Sequence, residues 1–242
     1  MTAIDNHTDS VQSVFPELER LLPFVQKPVQ YVGGELNAVV KPWSAAQVRW
    51  ALMYPDAYEV GIPNQGVQIL YEVLNERADT LCERTYAVWP DLEKLMREHQ
   101  VPQFTVDAHR PIGAFDVFGV SFSTELGYTN MLTALDLAGI PIHSAQRSYG
   151  HPIVVAGGHA AFNPEPIADF IDAAVLGDGE QAAIAITEIV KEFKADLNAG
   201  VLADESDLRK ALLLRLAKSG VVYVPSLYDV EYLPDGRIRR VT

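Results

Sequence analysis

The fold is decided by the stretch Ile153-Val154-Val155-Ala156-Gly157-Gly158-His159-Ala160-Ala161-Phe162-Asn163-Pro164-Glu165-Pro166. A short apolar run, rich in β-branched residues, stops at paired glycines and is followed by a polar turn bounded by prolines. Such a run is typical of a buried parallel strand whose carboxyl end meets a ligand crevice. Glycines at that point allow a bulky ligand to lie against bare backbone. Further along, Ala173-Ala174-Val175-Leu176-Gly177-Asp178-Gly179-Glu180 repeats the pattern and opens a helix, so the two turns predict the binding crevice of an α/β sheet.

Strand-like and helix-like segments alternate around this stretch. Apolar runs predict strands at residues 48–54, around Cys82, and at residues 116–122, 153–156 and 173–176. Apolar residues at helical spacing predict helices around residues 67–74, 92–96, 128–135 and 183–193. Helices that alternate with strands in this way cover both faces of a parallel sheet. The predicted fold class is therefore α/β, a doubly wound parallel sheet of Rossmann-like type with a short appendage at each end.

The pattern divides the chain into four parts. Residues 1–14 are polar and mixed, which predicts a disordered leader. Residues 15–44 hold a short amphipathic helix and an extended or hairpin-like segment around Gly33-Gly34. Residues 45–195 form the predicted Rossmann-like domain, and residues 196–242 a helix and a β-hairpin that turns at Pro234-Asp235-Gly236.

The charge balance and the cysteine count exclude several classes of function. A net charge of −13 opposes charge-driven nucleic-acid binding, which needs a basic face, and opposes binding to an anionic membrane surface. No apolar run reaches the roughly 20 residues of a membrane span and no signal-peptide core is evident, so we expect a cytoplasmic protein. Cys82 stands alone, so the sequence supplies neither a disulfide nor the three cysteines of an iron–sulfur site. We expect a buried structural thiol there.

The candidate ligand-binding residues follow the predicted strands. Because ligands of doubly wound sheets bind beyond the carboxyl ends of the strands, the residues that come directly after each strand are expected to converge. These residues are Asp56, Tyr58, Gly61, Ser121, Ser123, Gly157, Gly158, Gly177 and Gly179. Each also has a purely structural interpretation: a tight turn for the glycines, a packed ring for the tyrosine, and local hydrogen bonding for the aspartate and serines. The spacing of His109, His143, His151 and His159 is not that of a metal site, and only His159, next to the paired glycines, is placed to touch a ligand.

These residues carry a family resemblance. The spacing Asp56-x-Tyr58-x-x-Gly61 resembles the Asp-x-His-x-x-Gly loop of cobalamin-binding Rossmann domains, with Ser121-x-Ser123 at the place of their Ser-x-Leu motif. The runs at residues 156–160, 164–166 and 176–180 resemble the cobalamin-binding-type N-terminal domain of radical S-adenosylmethionine (radical SAM) proteins. An uncharacterised subgroup of these proteins also shows Tyr31-Val32-Gly33-Gly34-Glu35-x-Asn37 and Gly66-x-Gln68-Ile69-Leu70-Tyr71. The resemblance covers most of residues 28–230.

The resemblance implies a corrinoid above the strand ends, or a module that caps a radical SAM catalytic domain supplied in cis or in trans. Methyl transfer through cobalt is the chemistry it implies for the whole enzyme.

Two departures from the family pattern limit which properties of the family can be transferred to this chain. Tyr58 replaces the histidine, so this loop offers cobalt no imidazole, and a phenol, with a pKa near 10, is a poor substitute. The Cys-x-x-x-Cys-x-x-Cys motif is absent, so a [4Fe–4S] cluster and S-adenosylmethionine would belong to a catalytic portion outside this sequence, and the chain alone is not expected to be catalytic.

Other hypotheses remain open. A degenerate cobalamin fold that has lost its cofactor would serve as an interaction scaffold, with larger side chains filling the cofactor channel. Gly177-x-Gly179-x-x-Ala182 formally matches a dinucleotide-binding fingerprint, although two acidic residues occupy the turn where a pyrophosphate would lie. Glu125, Glu165 and Glu180 would form a carboxylate site for acid–base or metal chemistry if they came together.

Overall fold

Five parallel strands form the central sheet of the computed structural model, which describes residues 11–202 and 207–242. The strands are β1 (Val48–Tyr54), β2 (Thr80–Tyr86), β3 (Val117–Ser121), β4 (Ile153–Gly157) and β5 (Ala173–Ala174). They lie in the order β2-β1-β3-β4-β5, so the chain changes direction across the sheet between β1 and β3. The predicted doubly wound parallel sheet is confirmed. Strand β5 is shorter than the predicted residues 173–176, and only Ala173 and Ala174 pair with β4.

Helices cover both faces of this sheet. They are α1 (Phe15–Glu19), α2 (Tyr58–Gly61), α3 (Gln65–Glu76), α4 (Pro90–His99), α5 (Tyr128–Leu137), α6 (Gly179–Asn198) and α7 (Leu208–Lys218). Helices α3, α6 and α7 bury their apolar residues against the face that carries Trp50, Leu52 and Val155. Helix α5 packs on the opposite face, while α1 and α4 share a third cluster beside the sheet. None of the described helices is both long and apolar enough to cross a membrane.

Both edges of the sheet are covered by other parts of the chain. Along β2, the amide of Val106 donates to the Arg84 carbonyl at 2.8 Å, and the Thr85 hydroxyl donates to the Phe104 carbonyl at 2.6 Å. Beside β5, Ala174 and Tyr223 form an antiparallel bridge with backbone hydrogen bonds of 2.7 and 2.8 Å. The Asn75 and Asp107 side chains pair with further backbone groups of β2, those of Cys82 and the Arg84 amide, so backbone groups of both edge strands are occupied from within the chain.

The segments before β1 differ from the sequence expectation. Residues 1–10 of the predicted leader lie outside the described residues, whereas Val14 is buried and its amide donates to the His109 carbonyl at 2.8 Å. The hairpin considered for residues 29–40 is wrong, because this segment contains a single-turn 3-10 helix, Pro28–Tyr31, and no strand. Gly33 and Asn37 have φ angles of +65° and +66°, which bend the backbone out of an extended path.

The C-terminal segments pack on the same layer as α6. Leu212, Leu216 and Val224 are buried in the core cluster that contains α3 and α6. The predicted hairpin follows as β6 (Val230–Tyr232) paired antiparallel with β7 (Ile238–Val241).

A buried ionic triad fixes the start of α7 to the sheet. The Asp172 carboxylate accepts from Arg147 at 2.9 Å, from Arg209 at 2.8 Å and from the Val154 amide at 2.7 Å. The three charged side chains are at most 6% exposed. The guanidinium groups also donate to backbone carbonyls, Arg147 to Pro141 among others, so most of their donors are satisfied. The triad joins β4, the turn before β5 and α7 at the end of the sheet opposite the carboxyl edge.

Candidate functional site

A cavity of about 580 Å³ opens at the carboxyl edge of the sheet and extends between the sheet face and helices α3 and α6. Its size falls within the roughly 300–1,000 Å³ of typical small-molecule sites. Most of the predicted binding residues line it: Ser121, Ser123, Gly157, Gly158, Gly177 and Gly179. The carboxyl ends of β3, β4 and β5 therefore converge as the sequence pattern indicated.

The polarity of this cavity, which we call the slot, changes along the direction of the strands. At the mouth, Ser121 is paired with Gly157, and the polar side chains of the lining lie at this level or in the loops beyond it. They are Asn64, Ser121, Ser123, His159, Asp178 and Glu180. Two residues deeper in the strands, Leu52, Gly119 and Val155 form one apolar layer. Trp50, paired with Val117, lies deeper still and forms the inner end together with Ile186 of α6.

The paired glycines have different roles. Gly158 has a φ of +89°, and a Cβ atom there would lie 2.4 Å from the carbonyl oxygen of Phe122. A side chain at Gly158 is therefore excluded by the turn itself. Gly157 has an ordinary backbone conformation, and a Cβ atom there would meet no atom within 4 Å. The absence of a side chain at Gly157 keeps the mouth of the slot open. The backbone conformation of the turn does not itself require a glycine at this position.

The remaining predicted residues do not line the cavity. Asp56 is exposed and accepts from the adjacent Ala57 amide at 2.7 Å. Gly61 is buried against Tyr86, whose ring would lie 2.4 Å from a Cβ atom at that position. Tyr58 packs edge-on against the same ring, with 5.4 Å between ring centroids. Tyr58 and Gly61 in the loop that follows β1 therefore face β2, whereas Asn64, further along the same loop, lines the cavity.

Tyr58 belongs to a buried polar cluster on the β2 side. Its hydroxyl donates to the Glu35 carboxylate at 3.0 Å, and the Arg84 guanidinium lies 3.5 Å from the same carboxylate. Arg84 also pairs with Asp107 at 2.6 Å and lies over the ring of Tyr71. Burial, and after it the negative charge of Glu35, raises the pKa of Tyr58 to about 12. This phenol is neutral at physiological pH and already has a hydrogen-bond acceptor.

The glycine-rich turn before α6 does not suit a pyrophosphate. Gly179 begins the helix, Asp178 occupies the N-cap position, and Glu180 lies in the first turn. These carboxylates already complement the positive end of the helix dipole. None of the described lining residues is a lysine or an arginine. A dinucleotide phosphate would therefore meet two acids and no cation.

The other chemical groups considered from the sequence are dispersed. Of the three glutamates, only Glu180 lines the cavity, and Glu165 accepts from the Tyr223 hydroxyl at 3.0 Å. Among the described residues, no three His, Cys, Asp or Glu side chains are grouped as metal ligands. Of the histidines, His159 lines the cavity, whereas His109 is buried with its Nε2 atom 2.8 Å from the Tyr31 carbonyl. Burial raises the pKa of the Cys82 thiol well above its usual value, so this cysteine stays protonated and inert.

Sequence reasoning did not identify the walls and the inner end of the slot. Trp50 and Leu52 were assigned to a core strand, Ile186 to an amphipathic helix, and Leu70 to a helix and to a motif of the family resemblance. Gly119 could have indicated this region of the cavity from the sequence, because a glycine inside a strand commonly marks a site where a ligand or another chain segment approaches the backbone closely. A Cβ atom at Gly119 would lie 3.0 Å from the Trp50 ring.

Exposed apolar side chains surround the carboxyl edge. Each of the loops after β1, β3, β4 and β5 carries one large apolar residue with considerable exposure. They are Val60 (49%), Leu126 (86%), Phe162 (64%) and Leu176 (48%). We refer to these four side chains as the apolar rim. A set of apolar residues around a polar mouth is typical of a surface that another protein covers.

Comparison with known proteins gives one match. The family model described as radical SAM proteins, N-terminal, matches residues 66–225 of the 242-residue chain, which is more than half of it. The matched range includes every residue of the cavity lining except Trp50, Leu52 and Asn64. No curated protein matches the chain, and no solved structure does.

Proposed function

The chain belongs to the family of N-terminal regions of radical SAM proteins, and from that premise we propose that it is the corrinoid-binding module of such an enzyme. The observation that carries the proposal is the cavity at the carboxyl edge, between the sheet and helices α3 and α6, whose mouth is lined by Ser121, Ser123 and Gly157. A scaffold that had lost its cofactor would have larger side chains in this channel. Glycines line the mouth instead, at Gly157, Gly158 and Gly177.

The residues present fit a corrinoid in two parts. The macrocycle, with its ring of amide side chains, would lie across the carboxyl edge, where serine hydroxyls and the His159 ring offer hydrogen-bonding partners. The nucleotide tail would enter the slot past Ser121 and Ser123, against the bare backbone of Gly157. A bound corrinoid supplies methyl transfer through cobalt. The chain's own residues would bind and orient it.

The cobalt would receive no axial ligand from the loop after β1. Tyr58 stands where the related loop has histidine, and its hydroxyl is engaged with Glu35 on the β2 side. We therefore expect a corrinoid held with its tail base displaced from cobalt and no imidazole from this loop in its place.

The dinucleotide alternative is weaker. Asp178 and Glu180 occupy the helix start, and the described lining holds no cationic side chain that would balance a pyrophosphate. A cobalamin carries a single phosphodiester, so this lining opposes it less.

The partner of the module would be a radical SAM catalytic domain in cis or in trans. The sequence has one cysteine, so the cluster and its bound S-adenosylmethionine would belong to that domain. The apolar rim supports this proposal, because a domain seated over the carboxyl edge would cover these side chains and exclude water from the corrinoid face.

A retention experiment tests the proposal. The purified chain is incubated with hydroxocobalamin or methylcobalamin and desalted, and its visible absorption spectrum is recorded. We expect retained corrinoid with a base-off spectrum. Absence of retained corrinoid at tens of micromolar protein would contradict the proposal.

Gly157→Val is the matching variant, because its Cβ atom would lie at the mouth with no other atom within 4 Å. We expect it to fold normally and to lose the corrinoid. Gly150→Val is the control: Gly150 is exposed in a turn away from the lining, and its nearest neighbour, the Ser148 hydroxyl, would lie 3.8 Å from a Cβ atom. If both variants retain corrinoid equally, the ligand does not pass Gly157.

A further inference from the structure

We propose that the C-terminal hairpin, strands β6 and β7, is a docking surface that takes up an extended, acidic segment of a partner protein as a third strand along the outer edge of β7. This goes beyond the proposed function, because the hairpin lies outside the cavity lining and its docking role requires no corrinoid. The exposure, the free edge and the charge of the hairpin carry the proposal.

The hairpin is a small sheet separate from the central one. Among the described residues, β6 and β7 pair only with each other, and none of their side chains belongs to a buried apolar cluster. Leu227, just before the hairpin, packs against the cluster of α3 and α6, and the Tyr228 ring lies 5.1 Å from that of Tyr223. A two-stranded hairpin with neither a third strand nor a helix packed on it is at best marginally stable in water. An added strand would therefore stabilise it.

One face of the hairpin is apolar and uncovered. The register pairs Val230 with Val241 and Tyr232 with Ile238, so these four side chains share a face. Tyr232 is 62% exposed, Ile238 55% and Val241 49%. A partner strand that adds apolar residues beside Ile238 and Val241 would extend this face and remove part of it from water.

The outer edge of β7 offers backbone groups for pairing. Asp229 and Thr242 exchange two backbone hydrogen bonds, of 2.7 and 3.0 Å. Because hydrogen-bonded and non-hydrogen-bonded pairs alternate along an antiparallel ladder, the N–H and C=O groups of the next pair, Val230 and Val241, point outward. Those of Val241 lie on the outer edge of β7, where no other described segment is paired. This edge can accept a strand, whereas the edges of the central sheet are covered.

The charge of β7 indicates the chemistry of the partner. Arg239 and Arg240 are exposed, and neither forms an ion pair with another described residue, whereas Arg237 pairs with Asp235 at 2.7 Å. Opposite charges on adjacent strands are stabilising, and like charges directly opposite each other are destabilising. Pairing β7 with a second copy of itself along its full length would set arginine against arginine. We therefore assign the edge to a partner segment that alternates apolar and acidic residues.

Capped heptapeptides added to the full chain test the proposal. One alternates valine and glutamate, a second alternates valine and lysine, and a third has the composition of the first with its glutamates in one block. Binding is followed by NMR titration at physiological salt, together with hydrogen exchange of the Val241 amide. We expect the alternating glutamate peptide to bind with a Kd of about 1 mM or lower, to slow this exchange, and to bind roughly tenfold tighter than the other two.

The net charge of the chain sharpens this comparison. At −13 it favours the lysine peptide over the rest of the surface, so a preference for glutamate points to the arginines of β7. Binding of the alternating glutamate peptide that is equal to or weaker than that of either other peptide would overturn the proposal, as would no binding at millimolar peptide.

Charge reversal locates the interaction. Arg239→Glu combined with Arg240→Glu should invert the preference, so that the lysine peptide binds roughly tenfold tighter than the alternating glutamate peptide. The control combines Lys210→Glu with Lys218→Glu, two exposed lysines of α7, and makes the same change in net charge. It should keep the preference for glutamate. A preference for glutamate that survives in the arginine variant would refute the role of β7.

Proline substitutions test the backbone pairing. Val241→Pro removes an outward N–H group from the edge of β7, and Val230→Pro removes the equivalent group from the edge of β6. Neither group takes part in the ladder between the two strands. We expect Val241→Pro to lose the alternating glutamate peptide and Val230→Pro to retain it. Equal affinity in these two variants would overturn the assignment of the partner strand to the edge of β7.

Discussion

Replacing Gly158 by alanine is expected to destabilise the protein strongly, because the turn leaves no room for a side chain. The backbone has φ +89° and ψ −178°, a region that is essentially reserved for glycine and costs other residues about 1–3 kcal/mol. The new Cβ atom would also lie 2.4 Å from the Phe122 carbonyl oxygen and 3.0 Å from its carbonyl carbon. Those atoms belong to the backbone, so the chain must shift, which costs about 1–3 kcal/mol more. The sum is about 4 kcal/mol, or a fall in Tm of roughly 10 °C for a chain of this length.

The assay is thermal and urea unfolding followed by circular dichroism, with Gly157→Ala as the matched control. Gly157 precedes Gly158, has an ordinary φ and has open space where the Cβ atom would be. Alanine there restricts the unfolded chain, so we expect a change between zero and about 1 kcal/mol of stabilisation. Equal midpoints for the two variants would refute the reasoning, because they would show that neither the positive φ nor the contact with Phe122 governs this turn.

The remaining predictions concern charge and pH. Asp172→Asn should lower the free energy of unfolding by about 3–5 kcal/mol, because it leaves two buried guanidinium groups without their carboxylate; urea denaturation measures this. Asp235→Asn breaks an exposed Arg–Asp pair of similar length and should leave the urea midpoint unchanged, and a loss as large as that of Asp172→Asn would disprove the role of burial. Burial lowers the pKa of His109, so the unfolded chain binds a proton that the folded chain resists, and stability should decrease as pH falls through the unfolded value of about 6.5. His109→Gln should flatten the dependence of the urea midpoint on pH between 8 and 5, and an unaltered slope would assign the effect to another group.

The strands were predictable because their signals are local. Each is a short apolar run that ends at a turn, and the alternation with helices leaves little choice but a parallel sheet. The convergence of Ser121, Gly157 and Gly177 follows from that topology alone. The sequence does not reveal how deep the cavity is, because depth depends on the register that aligns Leu52 with Gly119 and Val155.

The motif spacing predicted that the loop after β1 contributes Asp56, Tyr58 and Gly61 to the crevice. In the structure these three residues do not line the cavity, and long-range contacts set their positions. Tyr58 binds Glu35, a residue of the segment before β1, and packs on Tyr86 of the neighbouring strand. Neither contact has a local signature. The same limit applies to the segment before β1, where Glu35 and Gly33 meet Arg84 and Val106 rather than pairing in a hairpin.

The covered edges of the sheet restrict how any other protein can join this module. β-Augmentation, in which a partner contributes an extra strand, needs a free row of backbone donors and acceptors. On β2 these groups are taken by the Val106 amide and by the side chains of Asn75 and Asp107, and on β5 Ala174 pairs with Tyr223. A partner that docks on the central sheet would therefore have to bind through side chains on loops and helices. Recognition of such a partner would then depend on shape and on apolar side-chain contacts, and a single substitution can change one of these contacts without changing the others.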